Sequence, residues 1–438
     1  MNTGRRSFLT YLATSATTLN VLGCARPAAP VEVRHAPADL GTWEGVRRQF
    51  LLDPSWIHLT GFLLASHPKP VRDAIERHRR ALDLNPPLYL HEQERAGEAN
   101  VRRAAASYMG VDPGEIALTD STTMGLGTLY QGLPLASGQE ILTTTHDHFS
   151  THESLRLAAE RAGAVVRKIP LYDAPELATP ASMVDAIARA IGPSTRVVAI
   201  TWVHSGTGVK TPVRAIADAV AKANAGRDAR DRAYLCVDGV HGFGAEAAPV
   251  GELGCDFFVA GCHKWLFGPR GTGVVWGRRD LWPTLRPTIP AFTAEAWTPW
   301  LKGSKPGPTS AAVMTPGGFH SFEHRWALDA AFAFHEGIGR DRVAARIHEL
   351  NRQLKEGLAA MKHVVLHTPR GDEASSGIVT FEVAGVTPEQ VVERLAANRI
   401  LASTTPYATT YARVAPSLLN SPDEVDAVLR RIRDLASA

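Results

Sequence analysis

Cysteine is scarce in this chain. Four occur among 438 residues, and Cys236, Cys255 and Cys262 sit in apolar, strand-like runs without paired spacing. That pattern argues against both a disulfide framework and a zinc cage, so these three are expected to be buried thiols. Net charge is equally slight: 47 Lys and Arg against 44 Asp and Glu leave +3, which offers no nucleic-acid footprint. Aromatic residues make up only 7%, and 37 Gly and 29 Pro are spread along the chain, which excludes collagen-like and low-complexity classes. What remains is 45% apolar and 21% charged residues, an enzyme-sized globular composition with length for about two or three compact units.

The chain opens Met1-Asn-Thr-Gly-Arg5-Arg6-Ser7-Phe8-Leu9, then continues to Leu22 as a weakly apolar run full of Thr, Ser and Ala. The run is too short and too polar to span a bilayer, where ~20 apolar residues are needed. Charge, apolar stretch and small residues follow one another as in a signal peptide rather than a first helix. Arg-Arg-Ser-Phe-Leu resembles the bacterial twin-arginine export signal, and Val21-Leu22-Gly23-Cys24 resembles a lipoprotein cleavage box that would leave Cys24 acylated. Residues 1–23 are thus expected to be removed, which takes away Arg5 and Arg6 but no acid and lowers +3 to +1. Residues 24–45, rich in Ala and Pro, are expected to tether the body as a linker. The expected location is the periplasm, or a bacterial membrane as a lipoprotein. A route that exports folded proteins also hints at a cofactor inserted beforehand.

Beyond Lys69, helical periods alternate with short β-branched runs. The periodicity predicts helices over Val71–Leu82, Glu92–Met109, Met124–Gln131, Glu153–Ala162, Met183–Ile191 and Val213–Ala223. Strands are predicted at Ile116–Leu118, Glu140–Thr143, Val165–Ile169, Val197–Thr201, Tyr234–Val237, Phe257–Ala260 and Gly273–Trp276. That alternation implies an α/β layer with a mostly parallel sheet, which binds ligands at the carboxyl ends of its strands. After Trp282 a Pro-, Gly- and Trp-rich stretch runs to Gly318. Long helices are then predicted around Arg325–Phe334 and Arg340–Met361, followed by strands near Ile378–Val383 and Tyr411–Val414 and a helix Pro388–Asn398 between them. A last helix opens at Ser421-Pro-Asp-Glu424, with a Ser cap, Pro in the first turn and Glu three residues after the cap. The expected organisation is an N-terminal segment and large domain over 46–318 and a smaller α+β domain over 319–438.

Three segments could carry chemistry. In Gly261-Cys262-His263-Lys264-Trp265-Leu266 a lysine lies in an apolar run before the turn Gly268-Pro269-Arg270-Gly271, an unusual place for a charge. As a surface lysine it would snorkel. As a nucleophile it must be neutral, at a cost of roughly 4.6 kcal/mol at pH 7 from a reference pKa near ~10.4; apolar walls and nearby cations such as Arg270 reduce that cost, which makes Lys264 a candidate Schiff-base lysine. Asp238 ends the apolar run Tyr234–Val237, where Asp-Gly is either a plain turn or the acid that a pyridine nitrogen requires. Thr119-Asp-Ser121-Thr122-Thr123 lies between a strand and a helix start, where amides and hydroxyls cradle phosphate; capping explains one hydroxyl but not the cluster.

Taken in order, these segments with Thr145-His146-Asp147-His148, His204-Ser205-Gly-Thr-Gly208 and Val237-Asp238-Gly-Val-His241 resemble the class V aminotransferase family. The His-Lys-Trp-Leu form looks most like its isopenicillin N epimerase-like branch, and the resemblance runs from about Ile57 to the C-terminus. It implies fold type I, with a mostly parallel seven-stranded sheet in the large domain, and pyridoxal 5′-phosphate as cofactor. It also implies an amino-acid substrate, a homodimer, and aminotransferase or epimerase chemistry through an aldimine on Lys264. Asp238 would then face the pyridine nitrogen and His148 would stack on the ring. Thr122, Thr123 and His263 would hold the phosphate, with Ser205 and His241 near the ring oxygen. Arg413, in Tyr411-Ala-Arg413-Val-Ala-Pro416, would clamp the substrate carboxylate, a task that suits a planar guanidinium.

Four departures and four rival readings complete the picture. Ser205 stands where many relatives have Asn. No Cys follows Cys262, which disfavours the persulfide route of cysteine desulfurases. Thr315–Arg325, where a partner subunit usually reaches the phosphate, matches poorly, and His58-Leu-Thr60-Gly61-Phe62 stands where relatives commonly have Asn-Gly. As rivals, His146, His148 and His152 suit zinc, but no second ligand cluster follows. Ser205–Thr211 resembles a nucleotide loop except that Val209 occupies the glycine position before Lys210. A C–S lyase, or an exported binding protein that has kept the fold, would share most of these features.

Overall fold

The computed structural model describes residues 39–435, so the predicted signal, Cys24 and most of the predicted linker lie outside the described residues. Strands are numbered along the chain from β1 (Ile57–His58). The main sheet comprises β2 (Ile116–Thr119), β3 (Glu140–Thr144), β4 (Val165–Ile169), β5 (Thr195–Thr201), β6 (Tyr234–Asp238), β7 (Phe257–Gly261) and β8 (Gly273–Gly277), in the order β2-β8-β7-β6-β5-β3-β4. Strand β8 is antiparallel to β2 and β7, and the other neighbours pair in parallel. The seven strands predicted for this sheet are all present, Val165–Ile169 with the expected bounds and the other six extended by one or two residues.

Near-continuous apolar runs identify strands covered on both faces. In β5, Val197 and Ala199 pack on one face with Leu126, Leu129 and Leu155, from helices Thr122–Gly132 and Phe149–Ala162. Val198 and Ile200 face the other way, toward Val213, Ile216 and Val220 of helix Val213–Ala223. Strands β6 and β7 repeat that split, with Cys236 and Phe257 on the first face and Leu235 and Phe258 on the second. Each of the valines, leucines, isoleucines and phenylalanines among them contributes about 1.5–3 kcal/mol by leaving water. The strands so covered end where the site forms. Cys236, Cys255 and Cys262 are free and buried, as expected.

A four-stranded antiparallel sheet follows, made of β9 (Val364–Leu366), β10 (Val379–Val383), β12 (Ser403–Thr404) and β13 (Ala412–Val414), in the order β12-β13-β10-β9. The short strand β11 (Ile400–Leu401) instead pairs in parallel with β1. Helices Arg340–Ala359, Pro388–Ala397 and Pro422–Asp434 cover this layer through Leu354, Val391 and Val425. The last of them carries the predicted capping box between Ser421 and Glu424.

Several boundaries differ from expectation. The helix predicted over Arg325–Phe334 is two, Phe322–Trp326 and Leu328–Ile338, separated by Ala327, a turn residue that stays in the right-handed region at φ −80° and ψ −1°. Leu328, Ala331 and Phe332 pack in the core of the main sheet, so these residues beyond 319 serve the first layer. Regular structure also begins inside the predicted linker: helix Trp43–Arg47 is capped by Thr42, whose hydroxyl accepts from the Gly45 amide at 3.0 Å. The Arg342 guanidinium lies 4.4 Å from the Trp43 ring and anchors it. Within the Pro- and Trp-rich stretch, helices Ala294–Lys302 and Ala311–Met314 form.

Candidate active site

The strand ends bring the predicted residues together. Ser121, Thr122 and Thr123 follow β2, His148 follows β3, Ser205 follows β5, Asp238 closes β6, and His263 and Lys264 follow β7. Residues 201, 238 and 259 stand in register across β5, β6 and β7. Arg413 enters from β13 of the second sheet, where its Nη1 donates to the Ser205 carbonyl at 2.7 Å.

Lys264 lies in a tight turn, its carbonyl accepting from the Phe267 amide at 3.0 Å, while Gly268 closes back on the Cys262 carbonyl at 2.8 Å. Its Nζ stands 3.3 Å from His241 Nε2. Burial draws the amine down to about 8; Asp238 pulls the other way and Arg413 adds to the lowering. His241 in turn accepts at Nδ1 from the Trp265 indole at 3.3 Å. Burial, with Lys264 and Arg413 beside it, holds this imidazole well below its ordinary range.

Asp238 is buried, with Oδ1 accepting from the Val240 amide at 3.1 Å and Oδ2 from the Thr151 hydroxyl at 3.2 Å. Burial raises this carboxyl to about 6, against the lowering effect of those two bonds and of Lys264. His148 caps helix Phe149–Ala162 by accepting from the Ser150 amide, and its imidazole is kept neutral by burial and by Lys264 and Arg413. The site's positive charge therefore rests on Lys264 and Arg413 rather than on its histidines.

Ser121 caps helix Thr122–Gly132 by accepting from Met124. Thr122 Oγ1 accepts from the Gly261 amide at 2.8 Å, and Thr123 Oγ1 donates to Ser150 Oγ at 3.3 Å. A Cβ at Gly261 would stand 2.9 Å from Thr122 Oγ1 and 3.0 Å from His263 Cε1, so only glycine lets these two side chains meet over β7. His263 Nδ1 is buried with no hydrogen-bond partner. A helix N-terminus, two threonines and an unpaired imidazole nitrogen form a donor set that fits a phosphate group.

Arg413 is buried. Besides Ser205, it donates to the Thr404 carbonyl and to Ser403 Oγ, each at 3.2 Å, and its guanidinium stacks 4.6 Å from the Phe62 ring. These partners are neutral, and burial draws Arg413 down to about 10. A desolvated cation held by carbonyls and an aromatic face fits an incoming carboxylate. Phe62, from the segment that departs from the Asn-Gly pattern, is thus the platform of this arginine.

Several residues escaped sequence reading. Thr151 holds Asp238 and lies one helical turn from His148, a spacing that could have flagged it. Arg325 is buried against Asp120 at 2.7 Å, bracing the hydroxyl cluster, although its loop matched no motif. Tyr407, in the irregular segment before β13, bonds Ser205 Oγ at 2.6 Å. The rival motifs resolve otherwise: His146 stacks on Tyr172 at 3.8 Å and accepts from the Leu171 amide, while His152 bonds the Thr144 carbonyl. Among the described residues no group of three His, Cys, Asp or Glu side chains is placed to hold a metal ion. Lys210 pairs with Glu246 at 3.1 Å.

Comparison with known proteins identifies the family and the fold. The profile of the family described as aminotransferase class-V matches residues 68–414. Isopenicillin N epimerase of Amycolatopsis lactamdurans is 26% identical over 352 residues, covering 78% of this chain and 84% of that protein. A probable cysteine desulfurase of Halobacterium salinarum is 26% identical over 438 residues, covering 93% of this chain and 97% of that protein. Among solved structures, a mutant of C-DES with glycine covalently linked to its PLP cofactor superposes with a TM-score of 0.79 at 22% identity, covering 89% of this chain and 99% of that one. The fold is that of these PLP-dependent proteins, and a profile match running from the helix before the main sheet to β13 fixes the kinship: the chain belongs to the aminotransferase class-V family of pyridoxal phosphate-dependent enzymes.

Proposed function

We propose that the protein acts on an amino acid with pyridoxal phosphate carried on Lys264, as an aminotransferase or an isopenicillin N epimerase-like enzyme. One observation carries the reading: a lysine amine drawn down to about 8 stands among a buried aspartate, neutral imidazoles and a buried arginine held by neutral groups. When bound, the cofactor supplies an aldehyde and a ring that draws electrons from the substrate Cα. Thr122, Thr123 and His263 would bind its phosphate, and His148 would cover its ring. Asp238 would hold the proton of the ring nitrogen, and Arg413 would hold the substrate carboxylate bidentately. Lys264, once released, would take the Cα proton; where that proton is returned decides between transfer and epimerisation.

Borohydride reduction of the purified protein with peptide mapping tests this assignment. A pyridoxyl group on Lys264 supports it, and a colourless protein that takes up no pyridoxal phosphate refutes it in favour of a binding protein. A second reading, a C–S lyase, draws on relatives named cysteine desulfurase. The absence of cysteine after Cys262 disfavours a persulfide route, and assaying keto acid, D-amino acid and sulfide separates the outcomes.

The proposal includes a homodimer. Phe149 beside the ring-covering histidine, Trp300 and Leu301 of the Pro- and Trp-rich region, and Phe319 just after it are exposed apolar residues that a second copy would cover. A fully active monomer on sizing would refute this. It also includes export through the Arg5-Arg6 leader to the periplasm, with a lipid anchor at Cys24. Globomycin-insensitive processing would remove the anchor, and retention in the cytoplasm would remove both.

A further inference from the structure

Ser205 is short for the contact expected of it, and the structure gives it a helper. Tyr407 comes from the segment between β12 and β13, and its hydroxyl lies 2.6 Å from Ser205 Oγ. Its position is set from three sides. The Thr405 hydroxyl accepts from the Tyr411 amide at 2.9 Å and so curls the segment. The tyrosine ring lies flat against Gly206, where a Cβ would come within 2.9 Å of Cε2. The His148 ring meets it edge-on at 6.2 Å. The Ser205 carbonyl meanwhile holds Arg413, so one residue fastens both substrate-side groups to the end of β5.

We infer that Tyr407 donates its hydrogen bond to Ser205 Oγ, and that Ser205 is thereby turned and strengthened as a donor to the phenolic oxygen of pyridoxal phosphate. The two hydroxyls act as one unit, and Tyr407 is a positioning residue. This rests on the reading above that pyridoxal phosphate occupies the site with its ring oxygen near Ser205. The direction of the bond follows from chemistry. A phenol is the stronger donor of the two, and burial pushes the Tyr407 hydroxyl up to about 12, so it stays protonated. Ser205 has a single proton, which is then free to point at a ligand. Chained hydroxyls polarise each other, so the terminal donor is stronger than a lone serine.

A donor to the phenolic oxygen stabilises its anionic form and loosens its hold on the neighbouring proton, which lowers the midpoint at which the visible band of the holoprotein titrates. The other ionisable groups around the pair are Tyr172 with its partner His204, His148, Arg413, Asp147 and Asp238, with Lys264 beyond, and the variants below leave them in place. Band absorbance against pH, measured on protein loaded with pyridoxal phosphate, is the test. Tyr407→Phe is expected to raise the midpoint by about half a unit or more. Ser205→Ala should raise it at least as far, and the double variant no further than Ser205→Ala alone. Gly206→Ala, which displaces the tyrosine ring while keeping both hydroxyls, should also raise it, so the inference stays testable if one variant misfolds. A midpoint that moves with Ser205→Ala but not with Tyr407→Phe or Gly206→Ala overturns it, as does one that moves with none. A wild-type protein without any band instead overturns the cofactor reading, which distinguishes the two failures.

Discussion

The Lys264 amine faces Nε2 of His241 at 3.3 Å, and the tautomer of that imidazole is fixed from its other side. Trp265 donates to Nδ1, and an indole nitrogen can only donate, so Nδ1 carries no proton. The ring is held neutral, chiefly by burial. Its one proton is therefore on Nε2, pointing at Lys264. A free amine accepts such a proton and an ammonium group opposes it, so His241 and Trp265 together favour the nucleophilic form. The sequence Trp265, next to Lys264, thus has a chemical reason beyond packing.

The depressed lysine has a measurable consequence for the apoprotein. Its pKa falls from 10.5 to about 8 on folding, so below about 8 the folded state bears the whole penalty, and stability is recovered as pH rises from about 8 to 10.5. Two and a half units correspond to roughly 3 kcal/mol. Lys264→Met, of similar length and without the charge, is expected to stabilise the apoprotein by about 2–3 kcal/mol at pH 7 in urea unfolding. The gap should close by about pH 10.5. A gap that does not change with pH would show that packing, not charge, sets the difference.

Asp238 behaves in the opposite sense. Its pKa rises from 3.8 to about 6, so the folded chain keeps a proton that the unfolded chain has lost. Stability from this group therefore falls between about pH 4 and 6 and stays low above. Asp238→Asn is expected to stabilise the apoprotein at pH 7 by about 1–2 kcal/mol, since an amide can keep only part of the bonding to Val240 and Thr151. Turnover should fall ~10²-fold or more, as for loss of one preorganised electrostatic partner. Unaltered turnover in assays of the loaded variant would remove Asp238 from the chemistry.

The main sheet and the strand-end residues were legible because their signals are local. Val197–Ile200 and Phe257–Ala260 are apolar without interruption, which in a short run between turns means a covered strand, and the chemistry-bearing residues follow such runs directly. The second layer was harder. The two-residue strands β1, β11 and β12 have no periodicity to read, and Ala327 breaks a helix without Gly or Pro to announce it. Arg413 was found through its motif, whereas Phe62 lies 351 residues from the arginine it supports and Tyr407 lies 202 residues from Ser205, so each pair meets only on folding. Contacts of that kind leave no spacing in the sequence. The helix Trp43–Arg47 was hidden for another reason: five residues have too little periodicity to read, and it is held by distant partners, Arg342 on Trp43 and Glu424 on Arg47.

Arg413→Lys tests the carboxylate clamp. Lysine retains the charge but not the fork, and it cannot span Ser205, Thr404 and Ser403 at once. KM for the preferred amino acid should rise about 10–100-fold, the worth of ~1.5–3 kcal/mol for a charged hydrogen bond, while kcat changes less. The visible band of the loaded variant should persist. An equal loss of kcat with unaltered KM would place Arg413 elsewhere in the reaction.

The phosphate cradle makes a demand on the sheet beneath it. Helix Thr122–Gly132 can lie against β7 and β8 only because residue 125 is glycine; a Cβ there would stand 2.6 Å from Val259 Cγ1 and 3.0 Å from Val275 Cγ2. Both valines are packed on the same core face, so they cannot simply turn aside. Gly125→Ala must push the helix outward and carry its first turn with it. The cost to stability is expected to be about 1–3 kcal/mol, typical of overpacking. Thr122 and Thr123 then withdraw from His263, so affinity for pyridoxal phosphate should fall several-fold. Pyridoxal, which lacks the phosphate, should bind the variant and the parent alike in equilibrium dialysis. If both ligands weaken equally, the helix supports the site as a whole and not the phosphate in particular.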